Sequence, residues 1–392
     1  MEFRGIDNRI RENVARNWSF AIPYNAKLEF RDTIQCGTGV PRYDKNMKRP
    51  VGVIGAGSFG IAIAKLLDPN TEVLIYSRKI ETVESININH FHYNTPLSPE
   101  RIRATNDPQE MCDKCRLIFP IVPSGNFRTM MKAFSPYLKP YHLLIHGTKG
   151  FDLVGVEEVN LKSGVVVSRA NLRTMSEVIT EESSVVRVGC LSGPNLASEL
   201  LAGQPTATLI GSRFDEVIDA GQAVLNSKRF HVFGSYEILG AEFAGALKNI
   251  IAIGSGVLGG KGLGRNIQAM LITRGLTEMI AIGTRLGATN RAFLGTAGIG
   301  DLIATSTSTN SRNYSFGMRL AQGETREQIT SSMTEVAEGV RTISIAHRVA
   351  RTYRLHVPIT DMLYRVVFEG FDIDRAITYL MEYPYDIDVD FV

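Results

Sequence analysis

The chain has no run of five or more basic residues and a net charge of only +3, so a nucleic-acid partner is not expected. No apolar stretch approaches the roughly 20 residues that a membrane helix needs, so no membrane span is expected either. The first residues, Met1-Glu-Phe-Arg-Gly-Ile-Asp7, lack the apolar core of a secretion signal. Cysteine is scarce: Cys36, Cys112, Cys115 and Cys190 are the four. That count suits a reducing compartment, and a cytoplasmic location is the expectation. Cys112-Asp-Lys-Cys115 has no second pair or nearby histidine to complete a zinc set, and it reads as the end of a short helix. The seven histidines form no ligand spacing, so no metal is expected.

What is present is a core. At 392 residues with 44% apolar content, two domains and an appendage are expected. Residues 1–49 are polar and irregular and read as an N-terminal extension. From 50 to 238, apolar runs at 51–54, 72–76, 117–122, 142–146, 186–191 and 206–210 alternate with helical patterns. This is an α/β pattern, a Rossmann-like, doubly wound, mostly parallel sheet with helices on both faces. Val154 to Leu161 and Val165 to Val167 flank Lys162-Ser-Gly164 and predict a β-hairpin. From 239 to 392 the spacing predicts an all-helical domain, with helices over 240–258, 267–286, 315–321, 334–352, 358–367 and 373–381. A ligand cleft is expected where these helices meet the carboxyl ends of the strands.

Val51-Gly-Val-Ile54 leads into Gly55, Gly57 and Gly60, spaced G-x-G-x-x-G, and then into an apolar helix. The first glycine allows a tight turn, the second admits a pyrophosphate, and the third packs helix on strand. A purely structural turn is the competing reading. After the next strand, Ser77-Arg78-Lys79 stand where an acid would bind the ribose of NAD. Arginine offers a planar fork for a phosphate, so NADPH is expected to be preferred, with NADH also usable. The alternative is two solvated bases and mixed cofactor use.

Wound at about 100° per residue, the segment after Gly240 has an apolar face of Phe243, Leu247, Ile250 and Ile251. Its other face holds Ala241, Gly245, Ala252, Ser255 and Gly259, all small, with Lys248 alone among them. A ligand could pack around such a lysine; a close neighbouring helix is the other reading. Lys149, Asn195, Arg312 and Asn313 lie near turns, and Asp301 and Thr305 are spaced i, i+4 on one helix face.

Four segments, Gly147-Thr-Lys-Gly150, Ser192-Gly-Pro-Asn195, Gly245-Ala-Leu-Lys-Asn-Ile-Ile-Ala252 and Gly300-Asp-Leu-Ile-Ala-Thr305, followed by Ser311-Arg-Asn313, occur in order. With them the chain resembles the bacterial type of NAD(P)-dependent glycerol-3-phosphate dehydrogenase over about 51–382. The resemblance implies reversible reduction of dihydroxyacetone phosphate to sn-glycerol 3-phosphate, a phospholipid precursor, and a small-molecule partner only; it leaves a homodimer open. It implies that Lys248 is the proton donor and acceptor, with Lys149 its companion substrate lysine and Asp301 a substrate-contacting residue; the chemistry of an acid there would also let Asp301 hold Lys248 in place. Asn195, Thr305, Arg312 and Asn313 would contact substrate. Ser58, Phe59, Arg78, Pro123, Ser124, Lys149, Arg312 and Glu338 would contact the cofactor with the glycine loop. Two features depart from the family: the N-terminal extension, and the hairpin inserted around 153–170 beside Lys149. These keep open a related dehydrogenase of another phosphorylated or carboxylated hydroxy compound, and a non-catalytic dinucleotide-binding sensor.

Overall fold

The structure, a computed structural model, describes residues 49–156 and 165–384. Eight strands form one sheet: β1 (Val51–Ile54), β2 (Val73–Tyr76), β3 (Ile102–Thr105), β4 (Leu117–Pro120), β5 (Leu143–His146), β6 (Arg187–Ser192), β7 (Thr206–Ser212) and β8 (Phe230–Ser235). Their order is β8-β7-β6-β5-β4-β1-β2-β3, parallel throughout except between β6 and β7. The order reverses between β1 and β4, which opens a crevice at their carboxyl ends.

The central strands β1, β4 and β5 are buried at every residue, which is why they read as unbroken apolar runs. The two strands absent from the sequence expectation, β3 and β8, are the edges. Arg103 of β3 is exposed, and β8 alternates buried and exposed residues before its end. An edge strand with one wet face carries no unbroken apolar run to betray it.

Most of the expected hairpin, including its turn, lies at 157–164, outside the described residues, and neither Val154–Val156 nor Val165–Val167 is in a strand. The antiparallel pair is instead Asp152–Leu153 with Leu172–Arg173. Side chains pin this segment at its base. Phe151, Val167 and Leu172 are buried in the core of the helical half. Arg128 pairs with Asp152 at 2.7 Å, and the Arg169 amide donates to the Tyr353 hydroxyl at 2.9 Å. The described base of the segment is therefore rooted in the core.

The helices that frame the crevice are α1 (Ser58–Leu67) and α2 (Ser124–Phe134), with α3 (Met175–Glu182) packed on α2 and β6. The helical half comprises α4 (Ile238–Gly260), α5 (Arg265–Arg285), α6 (Asp301–Thr307), α7 (Arg312–Ala321), α8 (Glu338–Tyr353), α9 (Pro358–Glu369) and α10 (Ile373–Met381), with shorter helices between them. α8 starts four residues later than its apolar spacing suggests, because residues 334–337 are held outside the helix. α7 starts three residues early, at a cap where the Ser311 hydroxyl accepts from the Tyr314 amide.

α4 is the axis of the helical half, packed against α5, α6, α7 and α8. Among the described residues it is the one helix long and apolar enough to cross a membrane, a stretch the sequence reading passed over. Its apolar window is 89% buried inside the protein, so it is a core helix. Glycines on both partners bring α4 and α7 together. A Cβ on Gly256 would lie 2.0 Å from the Tyr314 carbonyl oxygen, and one on Gly317 would lie 2.0 Å from the Ile253 carbonyl oxygen. Gly256→Ala must push the two backbones apart, and a loss of about 3 kcal/mol is expected from overpacking. Urea unfolding of the variant against wild type measures it; an unchanged midpoint would show the contact to be slack.

Candidate active site

The glycine loop closes over β1 as its spacing requires. Gly55 has φ +114°, and a Cβ there would lie 2.1 Å from the Ile121 carbonyl oxygen. A Cβ on Gly60 would lie 1.9 Å from the Gly55 carbonyl oxygen, so the third glycine sets helix on turn. The first residues of α1 and α2 both face the crevice, and each receives a carboxylate from one segment of the helical half. The Ser58 amide and hydroxyl donate to Glu335 at 2.9 and 2.8 Å. The Ser124 amide and hydroxyl donate to Glu338 at 2.8 and 2.5 Å. These helix ends thus already act as anion seats. The Phe59 ring packs beside Gly147, and Pro123 is exposed at the start of α2. Arg78 is exposed just past β2, while Ser77 turns inward and accepts from the Lys79 amide at 3.2 Å. The turn, the two amino-terminal helix ends and the bases beside β2 fit a dinucleotide laid across the crevice.

Two ammonium groups converge on one carboxylate beside that crevice. Lys149 follows β5, and its Nζ donates to Asp301 Oδ2 at 2.6 Å and to the Gly193 carbonyl at 3.1 Å. Lys248, midway along α4, donates to Asp301 Oδ1 and to the Thr305 hydroxyl. Gly245, three residues before Lys248, is kept small by Ser192: a Cβ there would lie 2.9 Å from Ser192 Oγ, with Lys149 Cγ in ordinary contact at 3.5 Å. Asp301 is the first residue of α6, after a π-helical turn at Thr296–Gly300, and is 1% exposed. That turn and the helix amino end aim and stabilise its carboxylate. Burial pulls Lys248 down to about 7, with the Lys149 charge acting the same way and Asp301 opposing. An amine poised there can give or take a proton near neutrality.

The remaining candidates are placed around this centre. Arg312, the first residue of α7, is about half exposed and pairs with Glu335 at 3.2 Å. Asn313 is buried and tied to protein groups, donating to Asn249 at 2.9 Å and accepting from the Gly339 amide at 2.9 Å. Asn195 donates to the Thr208 hydroxyl at 2.8 Å, and its Oδ1 is buried with no partner among the described residues. Cys112 and Cys115 are buried at the end of a short helix, and burial pushes both thiols up to about 12.

The sequence reading missed two groups of residues. Glu335 is held below the usual carboxylate range: burial raises it, but the Ser58 amide and Arg312 outweigh burial. Its only sequence signal is the i, i+3 spacing to Glu338. Glu242 of α4 is fully buried and accepts from His146 at 2.9 Å and from the Ser176 amide and hydroxyl at 2.8 and 2.6 Å. It ties α4 to the end of β5 and the start of α3, and so fixes Lys248 relative to Lys149. An acid in an otherwise apolar helix was the available clue.

Comparisons with known proteins agree with this geometry. Residues 50–217 match the family model for the N-terminus of NAD-dependent glycerol-3-phosphate dehydrogenase, and residues 237–378 match the model for its C-terminus. A glycerol-3-phosphate dehydrogenase [NAD(P)+] of an Exiguobacterium strain is 36% identical over 341 residues, covering 85% of this chain and 95% of its own. One from Acinetobacter baumannii is 37% identical over 372 residues, covering 94% of this chain and 98% of its own. That span must reach into the first 49 residues, so the extension is not wholly foreign to bacterial members. The crystal structure of the Coxiella burnetii glycerol-3-phosphate dehydrogenase superposes with a TM-score of 0.76 at 30% identity, covering 86% of this chain and 99% of its own. On these matches, the chain belongs to the NAD-dependent glycerol-3-phosphate dehydrogenase family.

Proposed function

We propose that the chain reversibly reduces dihydroxyacetone phosphate to sn-glycerol 3-phosphate, with NADPH preferred over NADH. The observation that carries this reading is the meeting of Lys149 and Lys248 on Asp301 at the crevice. A bound nicotinamide supplies the hydride. The residues supply the rest. Lys149 and Lys248 offer N–H donors to the ketone oxygen and stabilise the charge that develops on it. Lys248 gives that oxygen its proton in reduction and takes it back in oxidation, while Asp301 and Thr305 keep the amine aimed. Arg312 holds the substrate phosphate as a planar fork. The proposed division of labour follows the chain, with 50–238 carrying the cofactor, 239–392 the substrate, and a cytoplasmic setting supported by the free thiols of Cys112, Cys115 and Cys190. Supply of glycerol 3-phosphate for phospholipid synthesis belongs to the same reading.

The test is a steady-state assay with dihydroxyacetone phosphate and each reduced cofactor, followed at the reduced-nicotinamide absorbance. Turnover is expected with both, with the higher kcat/KM for NADPH. Arg78→Ala is expected to raise the KM for NADPH by about 10- to 100-fold, and that for NADH by much less, because a charge-assisted fork to a phosphate is lost. No turnover with either cofactor removes the function; an equal rise for both removes the phosphate role of Arg78.

A further inference from the structure

The Glu335 carboxylate occupies the amino end of α1, with each oxygen bonded to Ser58. Gly57 is open toward it: a Cβ there would lie 3.4 Å from Glu335 Oε1. This is the side on which a glycine turn admits a pyrophosphate. We propose that Glu335 is an internal anion that competes with the cofactor diphosphate for this seat and, while seated, holds Arg312 away from the substrate phosphate. The proposal rests on the cofactor reading above and deepens it.

Three features support exclusive occupancy. The Ser58 amide has one proton, so a carboxylate and a diphosphate oxygen cannot both take it along the same line. Both occupants are anionic, and the seat lies where water screens only in part, so one repels the other. The segment Met333–Ala337 has no regular structure and Val336 is 55% exposed, so Glu335 can withdraw without breaking a helix or the core. Glu338 is different: it caps Ser124 from the first turn of α8, a fixed element.

Arg312 links this exchange to the substrate. Its NH1 is 3.2 Å from Glu335 Oε2 and 3.4 Å from the Val336 carbonyl, and its side chain is 47% exposed. When the cofactor displaces Glu335, that ion pair loosens and the guanidinium is free to turn to the phosphate, which it grips bidentately. Cofactor binding then raises affinity for the phosphorylated substrate, and by linkage the converse holds.

The test is calorimetric titration of NADPH into wild type, Glu335→Gln and Glu335→Asp at low ionic strength without substrate. Removing a charged competitor is expected to tighten NADPH binding about tenfold in Glu335→Gln. Glu335→Asp, one methylene shorter, is expected to fall between. Glycerol 3-phosphate is then titrated with and without saturating NADP+. Wild type is expected to gain affinity when the cofactor is present, and Glu335→Gln to lose most of that gain by already binding better without it. Unchanged or weaker NADPH binding in both variants, with wild-type circular dichroism and melting, overturns the proposal. If wild type itself fails to bind NADPH, the cofactor reading has failed instead, and the wild-type titration alone reveals it.

Discussion

Lys248→Ala is expected to lower kcat for dihydroxyacetone phosphate reduction by about 1,000-fold and leave NADPH affinity unchanged. Positioned acid–base groups contribute roughly 100- to 10,000-fold, and Lys248 also loses its share of oxyanion stabilisation. The cofactor loop is untouched, because Lys248 bonds to Asp301 and Thr305 and not to any residue of α1. Lys248→Arg separates the two roles. Arginine keeps a positive charge but does not deprotonate near neutrality, so it cannot exchange the proton. It is expected to be nearly as slow as alanine. Single-turnover measurement of hydride transfer, with a separate NADPH titration, checks both variants. Wild-type kcat in either one would move the proton role elsewhere.

Asp301→Asn is expected to be comparably severe by a different route. Asp301 is the one carboxylate shared by Lys149 and Lys248, and removing one partner of a buried ion pair costs about 3–5 kcal/mol. It also shifts the proton balance. Burial and Lys149 already pull Lys248 down to about 7, and Asp301 is the group that opposes them. Without it the ammonium deprotonates at lower pH. In wild type, kcat/KM for reduction should fall as pH rises through about 7, since the acid form is needed, and the oxidation rate should rise over the same range. In Asp301→Asn both limbs should move to lower pH. Reduction near pH 8 is then expected to drop about 100-fold or more, with partial recovery at lower pH. Full pH profiles in both directions check this, and limbs that stay in place would show that Asp301 does not govern the amine.

The parts of this molecule that could be read from the chain are those where one residue type serves one local need. Gly55 and Gly60 are demanded by backbone oxygens at about 2 Å from any Cβ, so the turn was legible from spacing alone. Lys248 stood out as a single charge on a stripe of small residues, and the stripe proved to have two uses. Gly245 makes room for Ser192 beside Lys149, while Gly259 makes room for the Tyr314 hydroxyl of α7. What was not legible depends on partners distant in sequence. Glu335 reaches a serine 277 residues away, and locally only its i, i+3 spacing to Glu338 marks it. Val167 looked like part of an inserted hairpin because its buried neighbours lie on helices far later in the chain. β3 and β8 were missed because an edge strand lacks the pattern that identifies a central one.

The burial of α4 has a practical consequence for engineering. The proposed acid is mounted at the centre of the most enclosed element, so its aim inherits every adjustment of the surrounding packing. Gly256 is eight residues from Lys248, about 12 Å along the axis, and a substitution that tilts the helix there would be read out as slower turnover before any melting was seen. Attempts to harden the protein against heat would do better to begin at the exposed side chains of α10, where Ala376 is the one buried residue, because its inner side chains Ile377 and Leu380 line a cavity with Gly254, Val257 and Leu258 of α4 itself.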